Sequence, residues 1–306
     1  MPAQILIVVV EYATPIENAP VIQSLDCCFS QDPTLLEDFA TLVWDNSPHC
    51  SPLPRGLCFP LEYWHTGVNL GVAGAYNRAA ELAAEYGARW LLLLDQDTVL
   101  PAEFLPRMRN YAQCLAPRHK IAAVAPIVTM GYMQVSPKVM ASWGRSIDPP
   151  TGFSGEESRE LVLVNTGLLL RLEAFSQIGG YDPDFWLDFS DRYLCHMLAQ
   201  KDFSVWLAPD LQLQHHVSLI ADDLSLSRYA NFVSAEDAFF TLYRTLPRNI
   251  VYCQRLLRKA WRERKTNPQR TRLLLRHLAR RFTASKNRRI REWRLEAAAA
   301  RRAMPS

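Results

Sequence analysis

Five consecutive apolar residues, Trp90-Leu91-Leu92-Leu93-Leu94, run directly into Asp95-Gln96-Asp97. So short a run, with no polar residue alternating through it, predicts a strand buried on both faces, as in a parallel α/β sheet. Open α/β sheets bind ligands beyond the carboxyl ends of their strands, and here two carboxylates stand at such an end. Alternate residues of an extended chain point the same way, so Asp95 and Asp97 can face one site. Two hard oxygen ligands suit Mg²⁺ or Mn²⁺ holding a diphosphate. A merely solvated strand end is the plainer alternative for an Asp-x-Asp.

The flanking sequence repeats the strand–helix rhythm. Ile5–Val10 reads as a first buried strand, and Thr41–Trp44 as a second, closed by the turn Asp45-Asn46-Ser47-Pro48. A helix capped by Asn77 is expected through Tyr86 and ends at Gly87. Pro101-Ala-Glu begins another, Ile121–Val128 is a strand, and residues 131–160 read as a long loop. Further strands are expected at Leu161–Val164, Leu168–Leu170 and Val205–Ala208, with helices over Glu173–Ile178 and Asp188–Gln200. This order predicts a mostly parallel, Rossmann-like sheet flanked by helices.

Charge divides the chain. Residues 1–243 hold 14 Lys+Arg against 28 Asp+Glu, whereas residues 244–306 hold 20 against 3. An acidic body with a basic helical extension from residue 235 is the expected organisation, the body (1–234) dividing into halves of about 1–100 and about 101–234. The seven cysteines show no metal or disulfide spacing, so reduced thiols of a cytoplasmic protein are expected. No apolar run approaches a membrane span.

Three further motifs join Asp95-Gln96-Asp97. These are Asp45-Asn46-Ser47, the run Asn69-Leu-Gly71-Val-Ala-Gly74-Ala-Tyr-Asn77, and Phe185-Trp186-Leu-Asp188-Phe-Ser-Asp191 followed by His215-His216. In order, spacing and residue type, over roughly residues 4–220, they resemble a family 2 glycosyltransferase of the GT-A fold, in its rhamnosyltransferase-like branch. The resemblance implies an inverting, metal-dependent transfer of a sugar, most readily rhamnose from dTDP-rhamnose, to a growing surface polysaccharide or lipid-linked oligosaccharide. It assigns Asp45 to the N3–H of uracil or thymine, although a turn-forming role is an equal reading of that residue. Asn69, Gly71, Asn77 and Asp95 would line the nucleotide, Gly71 through close backbone approach or simply through tight packing. Asp97, Asp95 and His215 (alternatively His216) would hold the Mg²⁺ or Mn²⁺.

Asp191 falls where the family places its catalytic base, which takes the acceptor hydroxyl proton. Asp188, three residues away, is the competitor. Trp143, Arg145, Trp186 and Tyr193 are candidate acceptor contacts, through ring stacking or phosphate clamping. The chain departs from the family pattern at Tyr193, where a glutamate is usual, and at Met197, where an arginine is usual. Those departures raise the alternative of a binding protein without turnover. A UDP-sugar donor is a second alternative, and a nucleotidyltransferase lacks its Gly-rich triphosphate loop.

In residues 270–282, Leu274, Leu275, Leu278 and Phe282 share a helical face, with Arg272, Arg276, Arg280 and Arg281 largely elsewhere. Such a basic amphipathic helix suits an anionic membrane surface at the cytoplasmic leaflet; the competing reading is docking on the acidic body as a bridge to a partner subunit, and no nucleic-acid module accompanies the charge.

Overall fold

The computed structural model of the chain describes residues 4–141, 146–214 and 224–303. Strand β1 (Ile5–Glu11) is buried throughout. Its alternate residues serve two cores, Leu6, Val8 and Val10 on one face and Ile5, Ile7 and Val9 on the other. Helix α1 (Pro20–Gln31) covers the second face with Ile22, Leu25 and Phe29. Strands β2 (Phe39–Asp45) and β3 (Leu61–His65) add outward in parallel. Helix α2 (Gly71–Glu85) then covers the first face with Ala73, Tyr76, Ala79 and Ala83. The chain re-enters on the other side of β1 as β4 (Trp90–Asp95). Leu91 and Leu93 enter one core and Trp90, Leu92 and Leu94 the other, so the unbroken apolar run is required by burial on both faces. The reversal between β1 and β4 opens a crevice where β1, β2 and β4 end in Glu11, Asp45 and Asp95.

Helix α3 (Phe104–Leu115) and strand β5 (Ile121–Met130) follow. The expectation of one long loop over residues 131–160 is corrected. That stretch contains β6 (Met133–Ser136), β7 (Lys138–Met140), β8 (Ser146–Ile147) and β9 (Gly155–Glu157). Strands β7 and β8 form a small separate sheet with β10 (Leu161–Val162), and β6 pairs with β5. Strand β11 (Leu169–Arg171) inserts antiparallel between β4 and β5. After helices α4 (Leu172–Gln177) and α5 (Ser190–Gln200), β12 (Ser204–Gln214) runs parallel to β5 and takes β9 as its outer neighbour. The main sheet reads β3-β2-β1-β4-β11-β5-β12-β9, mostly parallel and flanked by helices.

Helix α6 (Leu226–Tyr243) runs through position 235 without a break, so the helical region starts before the change in charge. With α7 (Leu246–Glu263), α8 (Pro268–Thr283) and α9 (Lys286–Ala303) it forms a third core around Phe239, Tyr252, Leu256, Leu274 and Trp293. Phe185 and Phe189 of the body belong to the same core and join the two parts. Arg244, Glu160 and His196 add a buried polar tie, with the guanidinium donating to the carboxylate. Burial raises the Glu160 carboxyl, but His196 and Arg244 together hold it down to about 2. No described helix is long and apolar enough to cross a membrane.

The expected amphipathic face of residues 270–282 is largely consumed in this bundle. Leu274 is buried, Leu278 packs against the core, and the half-buried Arg281 donates to Asp237 and Asn249. Leu275 and Phe282 remain exposed.

Candidate active site

The three strand ends are braced by a chain of hydrogen bonds, most of them between segments distant in sequence. Asp45 Oδ1 accepts from Ser47 N (2.8 Å), a turn of the kind its residue type favours, and its Oδ2 accepts from the Tyr63 hydroxyl (2.7 Å). Asn46 accepts from Leu70 N and donates to Gly71 O, while Asn69 Oδ1 accepts from Gly71 N (2.8 Å). These two amides set the turn that starts α2. Gln96, the middle residue of the Asp-Gln-Asp motif, accepts from Tyr12 N (2.7 Å) and donates to Thr14 (2.9 Å). It thereby fixes the loop leaving β1 against the one leaving β4. Asp95 has its backbone N–H held by Thr166 Oγ1 (3.1 Å), and the buried Tyr76 hydroxyl lies 3.3 Å from its Oδ1.

Glu11, the residue directly after the apolar run Ile5–Val10, occupies the centre of this crevice. It stands opposite Asp45 in the sheet, is fully buried, and neither carboxyl oxygen has a hydrogen-bond partner. Burial, followed by the charges of Asp45 and Asp97, pushes it up to about 8, so it is protonated at neutral pH. A carboxyl directly after a buried strand, in line with two other acidic strand ends, was the available signal. Tyr63 and Thr166 carried no sequence signal, because their partners come from distant segments.

Asn77 does not cap α2, as its sequence position suggested. The helix begins earlier, at Gly71, and Asn77 lies inside it. Its amide accepts from Tyr181 N (2.8 Å) and donates to Tyr181 O (2.9 Å), clamping α2 to the segment before α5. Gly71 makes the companion contact. At φ +69° it meets the backbone of Trp186, and an added Cβ would lie 2.2 Å from the Trp186 carbonyl oxygen. The tight-packing reading of Gly71 is therefore the observed one. Gly71→Ala is expected to lower stability by about 2–4 kcal/mol, through left-handed strain plus a backbone clash. Thermal denaturation checks this, and an unchanged Tm would contradict it.

Trp186 is buried against Gly71, so it does not offer the open ring face expected of an acceptor platform. Tyr193 likewise stacks on Phe185 and meets Tyr243 edge-on in the aromatic joint to the extension. In both cases burying a large ring against the bundle outweighs exposing it. Trp143, Arg145, His215 and His216 lie outside the described residues.

Asp188 and Asp191 line the same cavity as Asp95, together with Asn165, Phe189 and Arg228. They are separated by Phe189, which takes the left-handed conformation (φ +65°) ahead of Ser190 and so breaks the expected continuous helix between them. Asp188 is held in an ion pair with Arg228, whereas Asp191 accepts from the neighbouring Arg192 N–H (2.6 Å). Burial is the main cause that lifts Asp191 to about 6, with the charges of Asp188 and Asp95 adding to it. Asn165, which accepts from the Tyr181 hydroxyl and donates to Ser190 Oγ, holds the start of α5. Among the described residues, no group of three His, Cys, Asp or Glu side chains could hold a metal. The pair Asp95 and Asp97 nevertheless fits a divalent cation that takes its remaining ligands from a bound diphosphate and water.

No protein-family model matches the chain. It is similar to the dTDP-rhamnosyl transferase RfbF of Shigella flexneri, at 24% identity over 160 residues, covering 49% of this chain and 50% of that protein. The chain thus spans about half the length of that curated relative. Among solved structures, it resembles the mannosyltransferase PcManGT of Pyrobaculum calidifontis, in complex with GDP-Man and Mn²⁺. The TM-score is 0.50 at 16% identity, over 100% of this chain and 77% of that one. It also resembles S. aureus TarS 1-349 in complex with UDP, with a TM-score of 0.50 at 13% identity over 98% and 92% of the two chains. The fold is GT-A, as these likenesses and the strand order agree.

Proposed function

We propose that this GT-A chain is an inverting, metal-assisted glycosyltransferase. Its donor is a nucleotide sugar, dTDP-rhamnose in the first instance, and its acceptor is a growing surface polysaccharide or lipid-linked oligosaccharide. The observation that carries the reading is the position of Asp191. It is a carboxyl at about 6, at the N-terminus of α5, in one cavity with the strand-end Asp95. As a carboxylate, Asp191 takes the proton of the acceptor hydroxyl as its oxygen bonds to the anomeric carbon. The bond from that carbon to the diphosphate breaks, and the nucleoside diphosphate leaves. Asp188, neutralised by Arg228, positions the turn and does not compete for the proton.

Asp45 is assigned to the base, and Asn69 and Asp95 to the ribose side. Asn77 and Gly71 support them by fixing α2. Asp95 and Asp97, with His215 as the third expected ligand, would hold Mg²⁺ or Mn²⁺. Bound there, the cation supplies Lewis-acid stabilisation of the departing diphosphate. The rhamnosyl donor is supported by the motif pattern and by the relative from Shigella flexneri. Location at the cytoplasmic face of the membrane is supported by seven unpaired thiols and by the basic extension, whose exposed apolar residues include Leu275 and Phe282.

Calorimetric titration of dTDP, UDP and GDP, each with and without Mn²⁺, tests the reading. dTDP is expected to bind best, to need the metal, and to lose binding in Asp97→Ala. A preference for UDP would overturn the rhamnosyl donor alone. Failure of all three nucleotides would overturn the transferase.

A further inference from the structure

The cavity that contains Asp95 and Asp191 does not end at them. Its volume of about 1300 Å³ extends between α6 and α7. There its wall is formed by Phe232 and Phe240 of α6 and by Arg255, Arg258, Trp261 and Arg262 of α7. Transfer to a hydroxyl at Asp191 does not by itself require this second arm.

Helix α7 presents two exposed stripes along the arm. At about 100° per residue, Leu246, Ile250, Leu257 and Trp261 fall within an arc of about 60°. They are 75%, 52%, 54% and 66% exposed, an apolar line interrupted between Ile250 and Leu257, with the Arg264 guanidinium lying over the Trp261 ring. Arg258, Arg262 and Arg255 fall in the adjoining arc and line the cavity together with Leu257 and Trp261. Arg255 lies over the rings of Phe240 and Tyr252 and donates to Glu236 (2.5 Å). Arg258 donates only to the Gln254 carbonyl of its own helix, and Arg262 has no carboxylate partner among the described residues. Guanidinium groups facing a groove select phosphate oxygens, and the neighbouring apolar line selects a hydrocarbon chain.

We infer that the groove along α7 binds the phosphate-bearing lipid portion of the acceptor. Arg258 and Arg262 hold the phosphate, and Leu257 and Trp261, continued by Ile250 and Leu246, hold the start of the chain. The assignment rests on the transferase reading for what lies at Asp191. It favours a single lipid phosphate over a bulk membrane surface, because the arginines line a cavity continuous with the reacting end.

The test uses the whole chain and farnesyl diphosphate, below its aggregation concentration, as the probe. Farnesol and inorganic diphosphate serve as half-probes, and dTDP, UDP and GDP with Mn²⁺ as separate ligands. Farnesyl diphosphate is expected to bind about tenfold or more tighter than either half-probe. The double variant Arg258→Gln/Arg262→Gln should lose about tenfold or more of that affinity, and Trp261→Ala should weaken the farnesyl diphosphate but not the inorganic diphosphate. Both variants should keep the wild-type nucleotide affinities and circular dichroism. Equal binding of inorganic diphosphate, or equal binding of farnesol, would overturn the inference. So would binding to phosphatidylglycerol vesicles with none to the monomeric probe. If no nucleotide binds, the transferase reading fails, while the lipid-phosphate result stands or falls on its own titration.

Discussion

Asp191→Asn is expected to lower turnover by about 10²-fold or more while leaving donor affinity unchanged. The asparagine keeps the shape and can still meet the Arg192 N–H, but it cannot take the acceptor proton. In the native chain the carboxyl stands at about 6, and only its ionised form acts as a base. The rate at low substrate should therefore rise with pH through about 6 and level off above it, and the variant should lose that limb. Rates from pH 5 to 8, with donor binding measured in parallel, check both statements. A native profile flat across this range, or a variant with native turnover, would remove Asp191 from the role of base. Asp188 offers the internal contrast. Its charge is matched by Arg228, so Asp188→Asn should act first on stability, by leaving that guanidinium without its carboxylate.

Glu11→Gln is expected to stabilise the metal-free, nucleotide-free protein, increasingly so as pH rises. The folded chain holds the Glu11 proton up to about 8, whereas the unfolded chain releases it near 4.5. Between those values the native state binds more protons than the unfolded state, so native stability falls as pH increases. Glutamine removes this dependence and matches the neutral acid in shape. The gain should be small near pH 4.5 and reach several kcal/mol at pH 8, on the scale of ~1.4 kcal/mol per pKa unit. Chemical denaturation at pH 5 and pH 8 in the presence of a chelator measures it. A stability difference that does not change with pH would show that Glu11 is ionised in the folded protein.

The parallel half of the sheet was legible because doubly buried strands leave an unbroken apolar signature. Ile5–Val10 and Trp90–Leu94 both lie in strands that feed two cores. The acidic strand ends were legible for the same reason, since a charge terminating such a run marks the sheet's edge. The short strands over residues 133–157 were not, because each is only two to four residues long, their local composition is that of turns, and β9 pairs with the distant β12. Asn77 was misread as a cap because a cap and a long-range amide clamp use the same residue type. Tyr193 and Trp186 were misplaced because nothing in their own segment announces the bundle that buries them. The departure from the family pattern at Tyr193 thus serves the joint to the extension, away from the cavity at Asp191. Arg228 carries no local signal for its ion pair, forty positions from Asp188.

The double clamp between α2 and the segment before α5 limits how such an enzyme can be rebuilt. Asn77 grips Tyr181 on both sides of its peptide, and Gly71 seats the carbonyl of Trp186. Helix α2 and the turn that leads to Asp191 are consequently one mechanical piece, although about a hundred residues separate them in the chain. A chimaera that exchanges the first hundred residues for those of a relative, to change the nucleotide, would import a helix cut for another partner. The transplantable unit is the first half together with residues 181–186, and grafts that respect this seam should be the ones that fold.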